Sequence, residues 1–153
     1  SDLGDNPLGV HMRMTDKHNC TKHGEPETGK PISVELYQSH IDKNLDQNDS
    51  KVFLATDDFD ALEKMKERYD NRIVTTECIR STGYKSVHHD LEGNNKEKGE
   101  QVLIDCLVLS KCRHIIKGIS NVALCAMFWN LDLTCENLNS IHRNDKREDF
   151  VNG

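Results

Sequence analysis

His11 and Arg13 stand two residues apart at the end of an apolar run, Leu8 to Met14. Alternate side chains of an extended chain share a face, so both point the same way near the carboxyl end of a strand. A guanidinium placed there can grip two phosphate oxygens through its planar fork, which an ammonium cannot do. A surface pairing of Arg13 with Asp16 is the plainer alternative. A second candidate is Lys117-Gly118-Ile119-Ser120-Asn121. Its glycine permits close backbone approach, and the free N–H groups of a helix starting at Ser120 or Asn121 attract anions. An ordinary N-cap accounts for the same residues. Asp105 is the third. It lies in the strongly apolar segment Val102 to Leu109, and a buried carboxylate has to be paired. A protein donor satisfies it, and so does a ligand such as guanine, whose N1–H and N2–H match a carboxylate. Asp57 and Asp58, after the run Val52 to Thr56, can bind sugar hydroxyls or cap the next helix. His18, Cys20 and His23, with His88, His89 and Asp90 further on, fit no zinc spacing.

The elements that would position these residues alternate between two hydrophobic periods. Strands are expected at Leu8–Met14, Val52–Thr56, Arg72–Thr76, His114–Lys117 and Leu131–Cys135. Helices are expected from Pro31 to Leu45, Phe59 to Tyr69, Gly99 to Cys112 and Asn121 to Trp129. The Gly99–Cys112 helix is apolar nearly all round, which predicts burial on every side. The stretches 18–30 and 83–99 read as polar loops. Strand–helix alternation implies a Rossmann-like, doubly wound parallel sheet of the α/β class. Such sheets bind ligands beyond the carboxyl ends of their strands, where Arg13, Asp57 and Gly118 all fall.

The whole chain has 153 residues, a net charge of −6, 35% hydrophobic and 30% charged residues. That length suits one domain with its own core. The acidic balance argues against a nucleic-acid footprint, which needs a basic face. No apolar run reaches the roughly 18 residues of a membrane span. Of six cysteines, Cys106, Cys112, Cys125 and Cys135 lie in or beside apolar segments and are expected to pack as small hydrophobes. Sequons at Asn19 and Asn48 arise readily in an Asn-rich chain and say little about compartment.

Taken in order, the motifs add up to more than any one of them. His11-x-Arg13-x-Thr15-Asp16-Lys17 resembles the donor-binding motif of the α1,6-fucosyltransferase and nodulation fucosyltransferase (NodZ-like) family. Tyr37 stands where that family has a tyrosine in the following helix. Val52-Phe53-Leu54-Ala55-Thr56-Asp57-Asp58 is similar to its next strand motif. Leu103-Ile104-Asp105 with Leu109-Ser110 resembles its third, and Ile119-Ser120-Asn121-Val122 its fourth. There are two departures: Met14 stands where the family often has a second arginine, and Ile119 precedes Ser120 in place of a serine pair.

The resemblance spans about residues 8 to 130. It implies the C-terminal, donor-binding half of a GT-B-type glycosyltransferase, taking GDP-fucose without metal or other cofactor and transferring fucose with inversion to a glycan acceptor. It assigns His11 and Asp105 to guanine, and Arg13 and Ser120 to the β-phosphate. Asp16, Lys17, Tyr37, Asp57 and Asp58 map onto further functional positions, with Arg13, Asp16 and Lys17 as the catalytic candidates. An N-terminal acceptor domain would have to come from elsewhere. The expected division is a linker at 1–7, the nucleotide-sugar-binding domain at 8–136 and a polar tail at 137–153. A silent nucleotide- or sugar-binding module, and a structural or signalling doubly wound domain, are the competing readings. Compartment is left open: secretory for a eukaryotic protein, cytoplasmic for a bacterial one.

Overall fold

The structure is a computed structural model that describes residues 3–14, 32–45, 50–77 and 95–140. Five strands form one parallel sheet: β1 (Leu8–Met12), β2 (Val52–Thr56), β3 (Ile73–Val74), β4 (His114–Lys117) and β5 (Thr134–Asn137), in the spatial order β3-β2-β1-β4-β5. Its helices are α1 (Val34–Asn44), α2 (Phe59–Tyr69), α3 (Asn95–Ser110) and α4 (Asn121–Trp129), with a 3-10 turn at Asp70–Arg72. This is the Rossmann-like α/β architecture that the alternation predicts.

β1 and β2 are buried along their whole length, as expected of central parallel strands covered on both faces. Leu8, Val10, Met12, Val52, Leu54 and Ile116 point to one face and meet Val34, Tyr37 and Ile41 of α1 and Ala61, Leu62 and Met65 of α2. The alternate residues Phe53, Ala55 and Ile115 point to the other and meet Leu109 of α3 and Ala126 of α4. Gly9 lies on this second face: a Cβ there would come within 3.1 Å of Cys112 Sγ and Leu109 Cδ2. Its missing side chain lets the end of α3 press on the sheet.

Several boundaries move. β1 ends at Met12, which puts Arg13 just beyond the strand. β3 keeps only two residues: the 3-10 turn takes up Arg72, and Thr75 and Thr76 lie beyond the strand. α3 begins four residues before Gly99 and ends at Ser110. β5 is Thr134–Asn137, since Leu131 lies in a turn and is 88% exposed. Leu138, on the expected tail, is fully buried in the core. α3 is not buried all round: Val102, Leu103 and Ile104 are exposed, because only its Cys106 and Leu109 side reaches the interior. Cys106 and Cys112 are buried free thiols, but Cys125 is exposed on α4 and Cys135 half-buried. Leu124, Phe128, Trp129 and Leu131 add an exposed apolar strip at α4. No helix among the described residues is long and apolar enough to cross a membrane.

Candidate functional site

Parallel strands present their carboxyl ends on one edge, and there a cleft of about 400 Å³ opens between β1, β2 and α3. His11 and Arg13 line it from β1 and the residue beyond it. Asp57 lines it from the end of β2, and Gln101 and Asp105 from α3. Four of the candidates, His11, Arg13, Asp57 and Asp105, thus stand around one space.

His11 is 8% exposed, and its Nδ1 is buried without a hydrogen-bond partner among the described residues. Burial pushes the imidazole pKa down to about 4 against the opposing pull of Asp57, and Arg13 and Lys117 push it further in the same direction. It is therefore neutral at pH 7. Lys117 is the register partner of His11 on β4 and is itself 5% exposed, which brings a second basic side chain to this part of the edge. Asp57 Oδ1 accepts from Met14 N at 3.1 Å, tying the chain beyond β1 to the end of β2. Asp105 is half-buried, not enclosed. Its Oδ1 accepts from Thr76 Oγ1 at 2.9 Å and from Gln101 Nε2 at 3.0 Å.

Three candidates do something else. Asp58 caps α2, its carboxylate accepting from Ala61 N at 2.8 Å. Ser120 caps α4, its hydroxyl accepting from Val122 N at 3.2 Å, and it is buried and not among the residues that line the cleft. Tyr37 lies under the opposite face of the sheet, where its hydroxyl donates to His11 O at 3.2 Å. A Cβ on Gly118 would stand 3.1 Å from that hydroxyl, so the glycine lets the β4–α4 turn settle on Tyr37. Tyr37 thus braces the strand that carries His11. Asp16, Lys17 and the His18, Cys20, His23, His88, His89 and Asp90 constellation lie outside the described residues. Among the described residues no group of three or more His, Cys, Asp or Glu is placed to hold a metal ion.

The cleft also contains residues that no motif announced. Glu77, Glu97 and Glu100 join Asp57 and Asp105 around it, with Lys98 as a cation beside Arg13. Val102, Ile104 and Val122 give it apolar wall. The one available signal was the i, i+4 spacing of Gln101 and Asp105, which puts both on one side of a helix.

No family model matches the sequence, and no curated protein does. Among solved structures, the chain is similar to a NodZ alpha-1,6-fucosyltransferase co-crystallised with GDP. That match has a TM-score of 0.53 and 19% sequence identity, over 83% of this chain and 36% of that one. At this identity the likeness is one of fold. A structure of NodZ alpha-1,6-fucosyltransferase soaked with GDP-fucose is also similar, at 18% identity and a TM-score of 0.49 over 80% of this chain and 35% of that one. The relation to the NodZ-like family that the motifs suggested therefore holds at the level of the fold. The chain spans about a third of the NodZ chain's length.

Proposed function

We propose that this chain is the donor-binding half of a GT-B-type fucosyltransferase, binding GDP-fucose for metal-independent, inverting transfer to a glycan held by a second, N-terminal domain. The observation that carries this reading is the unpartnered Nδ1 of His11, buried in the wall of a cleft that also holds Arg13, Asp57 and Asp105. An orphaned polar atom is costly in a protein interior, and a ligand edge removes that cost. Guanine offers acceptors at N7 and O6 and donors at N1 and N2. A neutral imidazole and a carboxylate complement such an edge from two sides. The GDP bound to the similar NodZ structure is consistent with this choice.

Arg13 is assigned to the diphosphate. Its fork would meet two phosphate oxygens, and Lys117 and the N-terminus of α4 would add positive potential on the same edge. Charge builds on the leaving diphosphate as the sugar departs, and donors already fixed in place stabilise it most in that state. This removes part of the demand for a divalent cation. Asp57 stands where a sugar or ribose hydroxyl would donate. Fucose as the sugar, and roles for Asp16 and Lys17, follow from the motif resemblance.

Titration calorimetry with GDP, ADP, UDP and guanosine tests the reading. GDP should bind best. Arg13→Ala should weaken GDP by about 1.5–3 kcal/mol, the worth of a charge-assisted hydrogen bond, and leave guanosine unchanged. Arg13→Lys should recover part of the loss, since the charge returns without the fork. Equal affinity for the three nucleotides, or equal weakening of GDP and guanosine, would overturn the assignment.

A further inference from the structure

The carboxylate of Asp105 does not stand alone in the cleft. Gln101, one helical turn earlier on α3, donates to its Oδ1 from Nε2 at 3.0 Å. Thr76, on the segment that leaves β3, donates to the same oxygen from Oγ1 at 2.9 Å. Gln101 Nε2 also donates to Thr76 Oγ1, which closes a three-membered ring of side chains. A glutamine amide has two N–H groups, and here they go to Asp105 and Thr76. A threonine hydroxyl has one hydrogen, and it goes to Asp105. The direction of every bond is fixed, because the Thr76 hydroxyl gives its hydrogen to the carboxylate and so must accept from the amide.

We propose that Gln101 and Thr76 are positioning residues that orient the Asp105 carboxylate for the base edge, and so set the preference for guanine over adenine nucleotides. The inference rests on the reading of Asp105 given above. Two donors on one oxygen, arriving from α3 and from the β3 exit, hold the carboxylate plane against rotation about Cβ–Cγ. A carboxylate held in this way meets the N1–H and N2–H of guanine without first losing rotational freedom, and such pre-ordering raises affinity. Adenine lacks that pair of donors, so the gain is confined to guanine.

Calorimetry with GDP, ADP and inorganic pyrophosphate separates the outcomes, with thermal melting alongside. Asp105→Asn should abolish the preference for GDP over ADP without weakening pyrophosphate binding. Thr76→Val keeps the shape and removes one donor. Gln101→Met keeps the length and removes the amide donor without adding charge. Each should reduce the GDP-to-ADP preference about tenfold, the scale of one well-placed hydrogen bond, again without loss of pyrophosphate binding. Thr76→Ser, which keeps the hydroxyl, should restore the preference. If Thr76→Val does not fold, Gln101→Asn, which draws the amide back by one methylene, carries the same test. If Asp105→Asn loses the preference while the Thr76 and Gln101 variants keep it, positioning is overturned and base recognition stands. A lowered melting temperature with an unchanged preference likewise overturns positioning, since the ring then only ties α3 to the β3 exit. If Asp105→Asn keeps the preference, base recognition by Asp105 fails, and this inference fails with it.

Discussion

Burial makes the imidazole of His11 hard to protonate, and that has a measurable effect on the fold. Its pKa is about 4 in the folded chain against 6.5 for an ordinary histidine. The folded state therefore binds fewer protons than the unfolded state between these values, and stability rises with pH across the window. The stabilisation is complete above pH 6.5 and is lost as the pH falls from 6.5 towards 4. Over the full window the change is on the order of 3 kcal/mol. Urea denaturation at a series of pH values should show this slope in the native protein, and His11→Gln should flatten it. An unchanged slope in the variant would place the titrating group elsewhere.

At the scale of elements, α1 is fastened to the far edge of the sheet by Glu136 of β5. His40 Nδ1 stands 2.6 Å from Glu136 Oε2, Asn44 Nδ2 donates to Oε1 at 2.9 Å, and His114 Nε2 lies 3.3 Å from Oε1. Burial alone would raise the carboxyl's pKa. The hydrogen bonds from Asn44 and His40 and the charges of His40 and His114 outweigh it and hold the pKa below the ordinary 4.5. The resulting stabilisation is present above pH 4.5 and disappears as the pH falls through the lower, folded value. Glu136→Gln should cost about 1 kcal/mol near neutral pH, a charge-assisted bond reduced by solvent screening. It should also remove the acid limb of the stability curve below that of His11, and a wild-type acid limb in the variant would count against the fastening. The strongest periodic elements were legible to the residue: β2, α2, β4 and α4 stand where their hydrophobic patterns put them. The failures have local causes. Gly99 suggested a loop inside what is the second turn of α3, because the helix is held by packing further along at Cys106 and Leu109. Leu131 suggested a strand, but hydrophobicity does not reveal whether a layer exists to cover a residue, and none covers this one. His11, Arg13, Asp57 and Asp105 were legible because strand ends and helix faces are periodic. Thr76 was not, and Gln101 showed only its i, i+4 spacing from Asp105, since their meeting depends on where α3 lies beside a two-residue edge strand.

For the molecule as a whole, charge and topology each have a consequence. The net charge is −6, and Glu77, Glu97 and Glu100 place part of it around the cleft. On the proposed reading, a diphosphate bound at Arg13 would feel this charge. Neutralising the rim by Glu97→Gln with Glu100→Gln should strengthen GDP binding by roughly 0.2–1 kcal/mol per charge and leave guanosine unchanged. The gain should shrink in high salt, as screening contracts from about 10 Å at 0.1 M. No gain at low salt would mean that the rim faces away from the path of the phosphates. The topology sets a timetable for assembly. β1 is the central strand, and Leu8 pairs with His114 from far along the chain. On a ribosome, β1 and β2 can meet early, but one long edge of β1 stays bare until β4 has emerged. Loop closure over such a distance is slow, and a bare strand edge invites wrong partners in the meantime. Pulse-labelling hydrogen exchange during refolding should show the β4 amides acquiring protection after those of β2, and protection of β4 ahead of β2 would contradict that order. The central strand that brings His11 and Arg13 to the cleft thus keeps one edge uncovered until β4 arrives. A newborn chain stalled before residue 114 would already hold His11, Arg13, Asp57 and Asp105 beside an unfinished sheet, which makes that stage the one most in need of a chaperone.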